Sequence, residues 1–270
     1  MTGVREEQLT VLDGTVTFSV AIVGEGPALM YLHPAGGLEF DSFIEDLATR
    51  YTVYAPRFPG TDPNAPYEIH KLPTLLDALL AYEELVRALG ITRPVLVGQS
   101  FGGMLAAELA ALFPGVPSAV VLLDPIGLWR EDLPIANWTT LPMEELAALL
   151  FHDLDCEGAR AMTELPDDPD AVADIVANLT WALGCTAKFV WPIPDTGLVR
   201  RLHRIVAPTL IVWGEQDRLI PVGYADEFSS RIRRSRVLIV PDCGHIPQVE
   251  RPDVVIPQVG AFLSEVATQV

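Results

Sequence analysis

Short apolar runs alternate along the chain with longer segments whose apolar residues recur at helical spacing. Residues 16–23, Val-Thr-Phe-Ser-Val-Ala-Ile-Val, alternate in the manner of an antiparallel strand. Continuous apolar runs predict strands buried on both faces at 28–32, 52–55, 95–97, 119–123, 208–213 and 236–240. Helical patterns fall between them, after Asp41, over 73–89 and 103–113, and from about Pro221 and Pro252. This alternation predicts an α/β fold, a parallel sheet with helices on both faces.

The alternation stops between residues 127 and 206. This stretch is helical and irregular, is rich in Leu, Ala and Pro, and contains four of the five tryptophans, Trp129, Trp138, Trp181 and Trp191. An apolar insertion between two strands is typical of a lid over the carboxyl edge of a sheet. We therefore expect a core formed by residues 1–126 and 206–270 and a helical cap formed by 127–205, with most cap aromatics packing the cap onto the core.

Composition narrows the function classes. The chain has 270 residues, half of them hydrophobic, which is enough for one α/β domain with a large core. A net charge of -18 argues against nucleic-acid binding and slows approach to anionic membranes. The three cysteines form neither a disulfide framework nor a zinc pattern. The N-terminal residues have no apolar signal segment, and no run is long enough to span a bilayer. We expect a cytoplasmic protein with no nucleic-acid or membrane partner.

A Gly-x-Ser-x-Gly motif, Gly98-Gln99-Ser100-Phe101-Gly102, lies between a predicted strand and a predicted helix. This is the setting of a nucleophile elbow, in which a sharp turn exposes the serine hydroxyl. A serine becomes a good nucleophile only beside a base. The sequence therefore predicts Ser100 as a nucleophile.

The base and the orienting acid should also follow strands, because the site of an open parallel sheet lies at the carboxyl ends of its strands. His245 follows the strand at 236–240 and is the predicted base. Asp217 follows the strand at 208–213 and is the predicted acid, which gives the chain order Ser, Asp, His. Two alternative acids remain open: Asp124, at the end of the strand at 119–123, and Glu215.

An oxyanion hole needs two backbone N–H donors aimed at the developing negative charge. Phe101, the residue after the nucleophile, should supply one of them. The loop His33-Pro34-Ala35-Gly36-Gly37 should supply the other, from Ala35 or, as the next choice, Gly36, because Pro34 has no N–H. We expect His33 to brace this loop. No ligand cluster or phosphate loop indicates a metal or an organic cofactor.

These elements together resemble the α/β-hydrolase superfamily. The resemblance rests on the loop at 33–37, on 98–103, on Trp213-Gly214-Glu215-Gln216-Asp217-Arg218-Leu219-Ile220-Pro221, and on 243–252. Within the superfamily the chain is most similar to lidded serine hydrolases that group with carboxylesterases and meta-cleavage-product (C–C bond) hydrolases. The resemblance implies a mostly parallel eight-stranded sheet, a helical cap between strands 6 and 7, and a triad of Ser100, Asp217 and His245.

The chain departs from the C–C hydrolases at several positions. Those enzymes carry Asn before the nucleophile and Trp after the catalytic histidine, where this chain has Gln99 and Ile246. The predicted cap contains no clear counterpart of their carboxylate-binding arginine, since Arg160 and Lys188 are its only deep cations.

Three functions remain open at this point. The first is a serine hydrolase that cleaves a small apolar ester, lactone or related acyl compound. The second is a C–C bond hydrolase that uses the same triad, and the third is a non-hydrolytic relative that binds a ligand or cyclises it. The oligomeric state is open as well, with a homodimer as one option.

Overall fold

The structure is a computed structural model that describes residues 3–268, apart from the side chain of Glu144. Eight strands form one sheet in the order β1-β2-β4-β3-β5-β6-β7-β8. β2 pairs antiparallel with β1 and β4, and all other pairs are parallel. The strands are Arg5–Val11 (β1), Val16–Val23 (β2), Ala28–Leu32 (β3), Thr52–Pro56 (β4), Val95–Gln99 (β5), Ala119–Leu123 (β6), Thr209–Gly214 (β7) and Ser235–Val240 (β8). This confirms the predicted mostly parallel eight-stranded sheet.

Nine α-helices lie within the described residues. They are Ser42–Ala48 (α1), Leu75–Ala88 (α2), Phe101–Leu112 (α3), Met143–Leu150 (α4), Glu157–Thr163 (α5), Pro169–Ala187 (α6), Tyr224–Ser229 (α7), Pro247–Glu250 (α8) and Pro252–Ala267 (α9). None of these helices is long and apolar enough to cross a membrane.

Capping chemistry sets several helix boundaries. Asp41 caps α1, the helix predicted to follow it, and its side chain accepts a hydrogen bond from the N–H of Ile44. The prediction that Pro73 begins the next helix is wrong. Thr74 is the N-cap there, because its hydroxyl and the Asp77 carboxylate satisfy each other's backbone N–H groups in a capping box.

The sheet has an apolar core on each face. Alternate residues of β5 show the division: Leu96 packs in one core, and Val95 and Val97 pack in the other. Helices α2 and α3 cover the first face, and α1 and α9 cover the second. Burial on both faces explains why the parallel strands are continuous apolar runs.

The segment between β6 and β7 contains α4, α5, α6 and short 3-10 turns, and its backbone, which is described throughout, forms no strand. Its aromatics serve mainly in packing. The Trp138 and Trp191 rings meet edge to face at 5.2 Å. Thr186 on α6 donates its hydroxyl to the carbonyl of Ala35 at 3.3 Å, which joins this segment to the loop after β3. The division of the chain into core and cap at residues 127 and 206 stays a prediction.

Candidate active site

Ser100 occupies the turn between β5 and α3 with backbone angles that side-chain-bearing residues rarely adopt, φ 54° and ψ -113°. Its N–H donates to the carbonyl of Leu123 at 2.8 Å, which fixes the turn against the end of β6. The turn needs glycine on both sides. A Cβ at Gly98 would lie 2.2 Å from the Gly102 oxygen, and one at Gly102 would lie 1.9 Å from the Leu32 oxygen. The motif therefore folds as a nucleophile elbow.

The three residues proposed as a triad meet at the carboxyl edge of the sheet. The Ser100 hydroxyl lies 2.9 Å from Nε2 of His245, within reach for donating its proton. Nδ1–H of His245 donates to Oδ2 of Asp217 at 2.7 Å. The Asp217 carboxylate orients the imidazole, and the imidazole faces the serine hydroxyl, which is the arrangement that general-base activation of a nucleophile requires.

The structure separates the three acids that the sequence left open. Asp217 contacts His245, and its Oδ1 accepts the N–H groups of Leu219 and Ile220 at 2.9 Å each. Glu215 is exposed and accepts a hydrogen bond from the side chain of Gln216. Asp124 lies beside Asp217, and its Oδ1 accepts the N–H of Gly214 at 2.9 Å. Of the three, only Asp217 is hydrogen-bonded to the imidazole.

The loop after β3 is held by His33. The Phe58 N–H donates to Nε2 of His33 at 2.8 Å, so the ring's proton sits on Nδ1, which donates to the carbonyl of Pro34 at 2.7 Å. Burial lowers the pKa of His33 to about 4 and keeps the ring neutral. His33 is thus a brace, as expected from its place in the sequence.

The predicted oxyanion donors lie on two neighbouring segments. Phe101 begins α3, and Ala35 and Gly36 follow β3, whose end contacts α3 at Gly102. Among the described residues, no oxygen accepts a hydrogen bond from the N–H of Phe101, Ala35 or Gly36. These groups are therefore free to bind a substrate oxygen, and their assignment as the oxyanion hole stays a proposal.

Two residues outside the predicted site hold the histidine loop. The Gln99 side chain donates to the His245 carbonyl at 2.9 Å, and the Glu250 carboxylate accepts the Gly244 N–H at 2.7 Å. Hydrophobic periodicity predicts neither role, since both contacts depend on how the loop after β8 folds back. The one usable hint for Gln99 is its place directly before Ser100.

The inserted segment contacts the site from two sides. Ser100 is 4% exposed and His245 is 1% exposed. The His245 N–H donates to the carbonyl of Leu150, the last residue of α4, at 2.7 Å. On the other side, a Cβ at Gly36 would lie 3.1 Å from the Leu179 side chain on α6. These two contacts place residues of this segment beside His245 and beside the loop after β3.

One group of side chains within residues 3–268 is close enough to share a metal ion. Oxygens of Asp124 and Asp217 and a ring nitrogen of His245 all lie within 4.8 Å of one another. Both ring nitrogens of His245 already bond within the protein, to Asp217 and to Ser100. The two ring nitrogens are therefore engaged within the protein, and neither is directed at a shared ion.

Comparison with characterised families agrees with the fold. The alpha/beta hydrolase family matches residues 29–258. The chain belongs to this family, and the enzyme class predicted from the sequence, hydrolase, is confirmed.

Individual relatives are distant. The chain is 27% identical over 250 residues to a 2-hydroxy-6-oxo-6-phenylhexa-2,4-dienoate hydrolase of Burkholderia cepacia, with 85% of each chain covered. It is 26% identical over 253 residues to a pimeloyl-[acyl-carrier protein] methyl ester esterase of Nitrosomonas europaea, covering 87% of this chain and 94% of the esterase. The structure of a bacterial membrane phospholipase A superposes with a TM-score of 0.77 at 23% identity, covering 98% of this chain and 87% of that one. That structural similarity shows the fold alone.

Proposed function

We propose that the protein is a serine hydrolase that cleaves an apolar ester, lactone or related acyl compound. The observation that carries the proposal is the hydrogen-bonded series Ser100–His245–Asp217. Ser100 Oγ lies 2.9 Å from Nε2 of His245, and Nδ1 of His245 lies 2.7 Å from Oδ2 of Asp217. The family membership and the esterase among the relatives support it.

In the proposed reaction, His245 takes the proton from Ser100 as the hydroxyl oxygen attacks the substrate carbonyl. The oxyanion that forms is held by the N–H of Phe101 and by that of Ala35 or Gly36. The resulting imidazolium is stabilised by Asp217 and protonates the leaving group, which releases the alcohol and leaves an acyl group on Ser100. Water, activated by His245, then attacks the acyl carbonyl and releases the acid.

The placement of the cations in the inserted segment supports a substrate without a strong negative charge. The sequence offers Arg160 and Lys188 in the inserted segment as candidate ligands of a substrate carboxylate. Arg160 is exposed, and Nζ of Lys188 donates to the carbonyl of Leu72. Because Ser100 and His245 are nearly inaccessible to solvent, the proposal includes a displacement of this segment when substrate binds.

Hydrolysis of a C–C bond is the second candidate. It is favoured by the dienoate hydrolase among the relatives, which matches 85% of the chain. The same array could serve that reaction, but neither Arg160, which is exposed, nor Lys188, which donates to the Leu72 carbonyl, supports binding of a dienoate carboxylate.

A fluorophosphonate probe and intact-mass spectrometry test the serine-hydrolase proposal. We expect one probe adduct per chain in the wild type and none in Ser100→Ala. We also expect turnover of p-nitrophenyl esters that falls by at least about 10⁴-fold in the variant. Esters of increasing acyl length would then measure the pocket.

Three outcomes separate the candidates. Labelling together with ester turnover supports the ester hydrolase. Labelling with turnover of a dienoate but of no ester supports the C–C hydrolase. A folded wild type that is not labelled contradicts both and favours a binding or cyclising role, which fold membership alone allows.

A further inference from the structure

Asp124 carries a buried oxygen to which no N–H or O–H group of the described residues donates. The residue follows β6 directly and is 0% exposed. Its Oδ1 accepts the Gly214 N–H at 2.9 Å, whereas its Oδ2 accepts no hydrogen bond from a donor among the described residues. An ionised carboxylate with one bare oxygen in such a place would be strongly unfavourable. Oδ2 of Asp124 is therefore either protonated or in contact with a hydrogen-bond donor.

The surroundings of Asp124 favour the proton. One carboxylate oxygen of Asp124, one of Asp217 and a ring nitrogen of His245 all lie within 4.8 Å of one another. Two ionised carboxylates at such a distance repel each other, so one of the pair retains a proton. Asp217 accepts three N–H groups, from Leu219, Ile220 and His245, whereas Asp124 accepts one. Hydrogen-bond donors stabilise the charged form, so Asp217 is the ionised partner and Asp124 the neutral one.

We propose that Asp124 is a positioning residue that stays protonated at neutral pH and donates a hydrogen bond from Oδ2 to the Asp217 carboxylate. The role rests on the proposed function, because it assumes that Asp217 orients His245 for catalysis. Asp124 would give Asp217 a fourth donor without adding negative charge beside the imidazole. The carboxylate would then be held from both sides in the orientation that His245 requires.

The electrostatics agree with this placement of the proton. Burial raises the pKa of Asp124 well above the ordinary aspartate range, and the negative charge of Asp217 raises it further. The other titratable groups that face this position are Glu250, His245 and the Cys243 thiol. Glu250 acts in the same direction as Asp217, because a second negative charge also disfavours ionisation of Asp124.

Two substitutions separate this role from a merely structural one. In Asp124→Asn, the amide oxygen can accept the Gly214 N–H and the amide nitrogen can donate to Asp217. We expect kcat/KM within about threefold of wild type and an unchanged pH midpoint on the acid side of its profile. Asp124→Ala removes the donor, and we expect kcat to fall about 10- to 100-fold with little change in KM.

The pH profile distinguishes the two charge states of Asp124. If Asp124 were ionised, the Asn substitution would remove a negative charge beside the imidazolium. The acid-side midpoint would then move down by about one pH unit or more, and that shift would overturn the proposal. Equal losses of kcat in the Asn and Ala variants would also overturn it, as would full activity in the Ala variant.

Glu108→Gln is the matched control. Glu108, in the C-terminal half of α3, is another wholly buried carboxylate. It forms an ion pair with Arg201. We expect this substitution to lower stability and to leave the acid-side midpoint of kcat/KM in place.

An infrared measurement tests the proton without relying on activity. The wild type minus Asp124→Asn difference spectrum at pH 8 should contain the carbonyl stretch of a protonated carboxylic acid. At that pH Asp41, whose pKa burial raises to about 6, is ionised and does not interfere. Absence of the band overturns the proposal. Presence of the band in a protein that neither labels nor turns over ester supports the proton placement and contradicts the proposed function instead.

Discussion

The Glu250 carboxylate accepts the backbone N–H of Gly244 at 2.7 Å, and Gly244 directly precedes His245. The same carboxylate accepts the N–H groups of His152, at 3.2 Å, and Asp153, at 2.7 Å, in the inserted segment. The buried Glu250 side chain therefore joins the loop of His245, the proposed base, to the inserted segment between β6 and β7. The position of His245 and the closure of the site depend on each other through this contact.

Replacing Glu250 should weaken both stability and catalysis. Glu250→Ala leaves the buried N–H of Gly244 and the partly buried N–H groups of His152 and Asp153 without this acceptor, and we expect a loss of about 2 kcal/mol in the free energy of unfolding. We also expect kcat/KM for an ester substrate to fall at least about tenfold, because His245 loses its support. Urea unfolding and steady-state kinetics measure the two effects. Glu215→Gln, at an exposed residue of the neighbouring loop, serves as the control and should change neither. Wild-type stability in Glu250→Ala would contradict the prediction.

His33 should make stability depend on pH. Its pKa in the folded protein is about 4, below the ordinary value of 6.5, so the folded state binds fewer protons between these values. The stabilisation is present above pH 6.5 and is lost as the pH falls toward 4, by up to about 3 kcal/mol. We expect the stability difference between wild type and His33→Gln to shrink by that order between pH 7 and pH 4 in urea unfolding.

The comparison with a variant is necessary because titration of Asp41 changes the free energy of unfolding with pH in the opposite direction. Burial raises the pKa of Asp41 from 3.8 to about 6, so its contribution is present below pH 3.8 and is lost as the pH rises to 6. The pH dependence of the wild type alone is therefore a sum of opposing effects. His203→Gln, at an exposed histidine, is the control. A difference between wild type and His33→Gln that stays constant with pH would show that His33 does not titrate as described.

Two glycine substitutions should have opposite effects. In Gly102→Ala the added Cβ would meet the Leu32 backbone oxygen at 1.9 Å, so strand and helix must separate, and we expect a loss of about 3 kcal/mol or more. In Gly184→Ala, within α6, nothing lies within 4 Å of the added Cβ. Higher helix propensity should then stabilise the protein by about 0.5–1 kcal/mol. Thermal and urea unfolding of the pair measure both. A tolerated Gly102→Ala would contradict the close approach at the elbow.

The sequence by itself determined the sheet and the edge at which the chemistry lies. Continuous apolar runs mark the strands because both faces of a parallel sheet are buried, and Ser100, Asp217 and His245 each follow such a run. Parallel strands end at one edge, so position along the chain was enough to predict that these residues come together. Helix boundaries were less certain, as at Thr74, because a local capping box outweighed the more obvious proline.

Tertiary structure alone decided which acid contacts the imidazole and what supports it. Asp124, Glu215 and Asp217 all follow strands, and the choice among them depends on a few ångströms set by the fold of the loop after β8. The role of Glu250 follows only from the structure, in which its carboxylate accepts the N–H groups of Asp153 and His152, 97 and 98 residues away along the chain. A hydrogen bond requires distance and direction to agree between segments that sequence periodicity does not relate, so only the folded chain specifies such contacts.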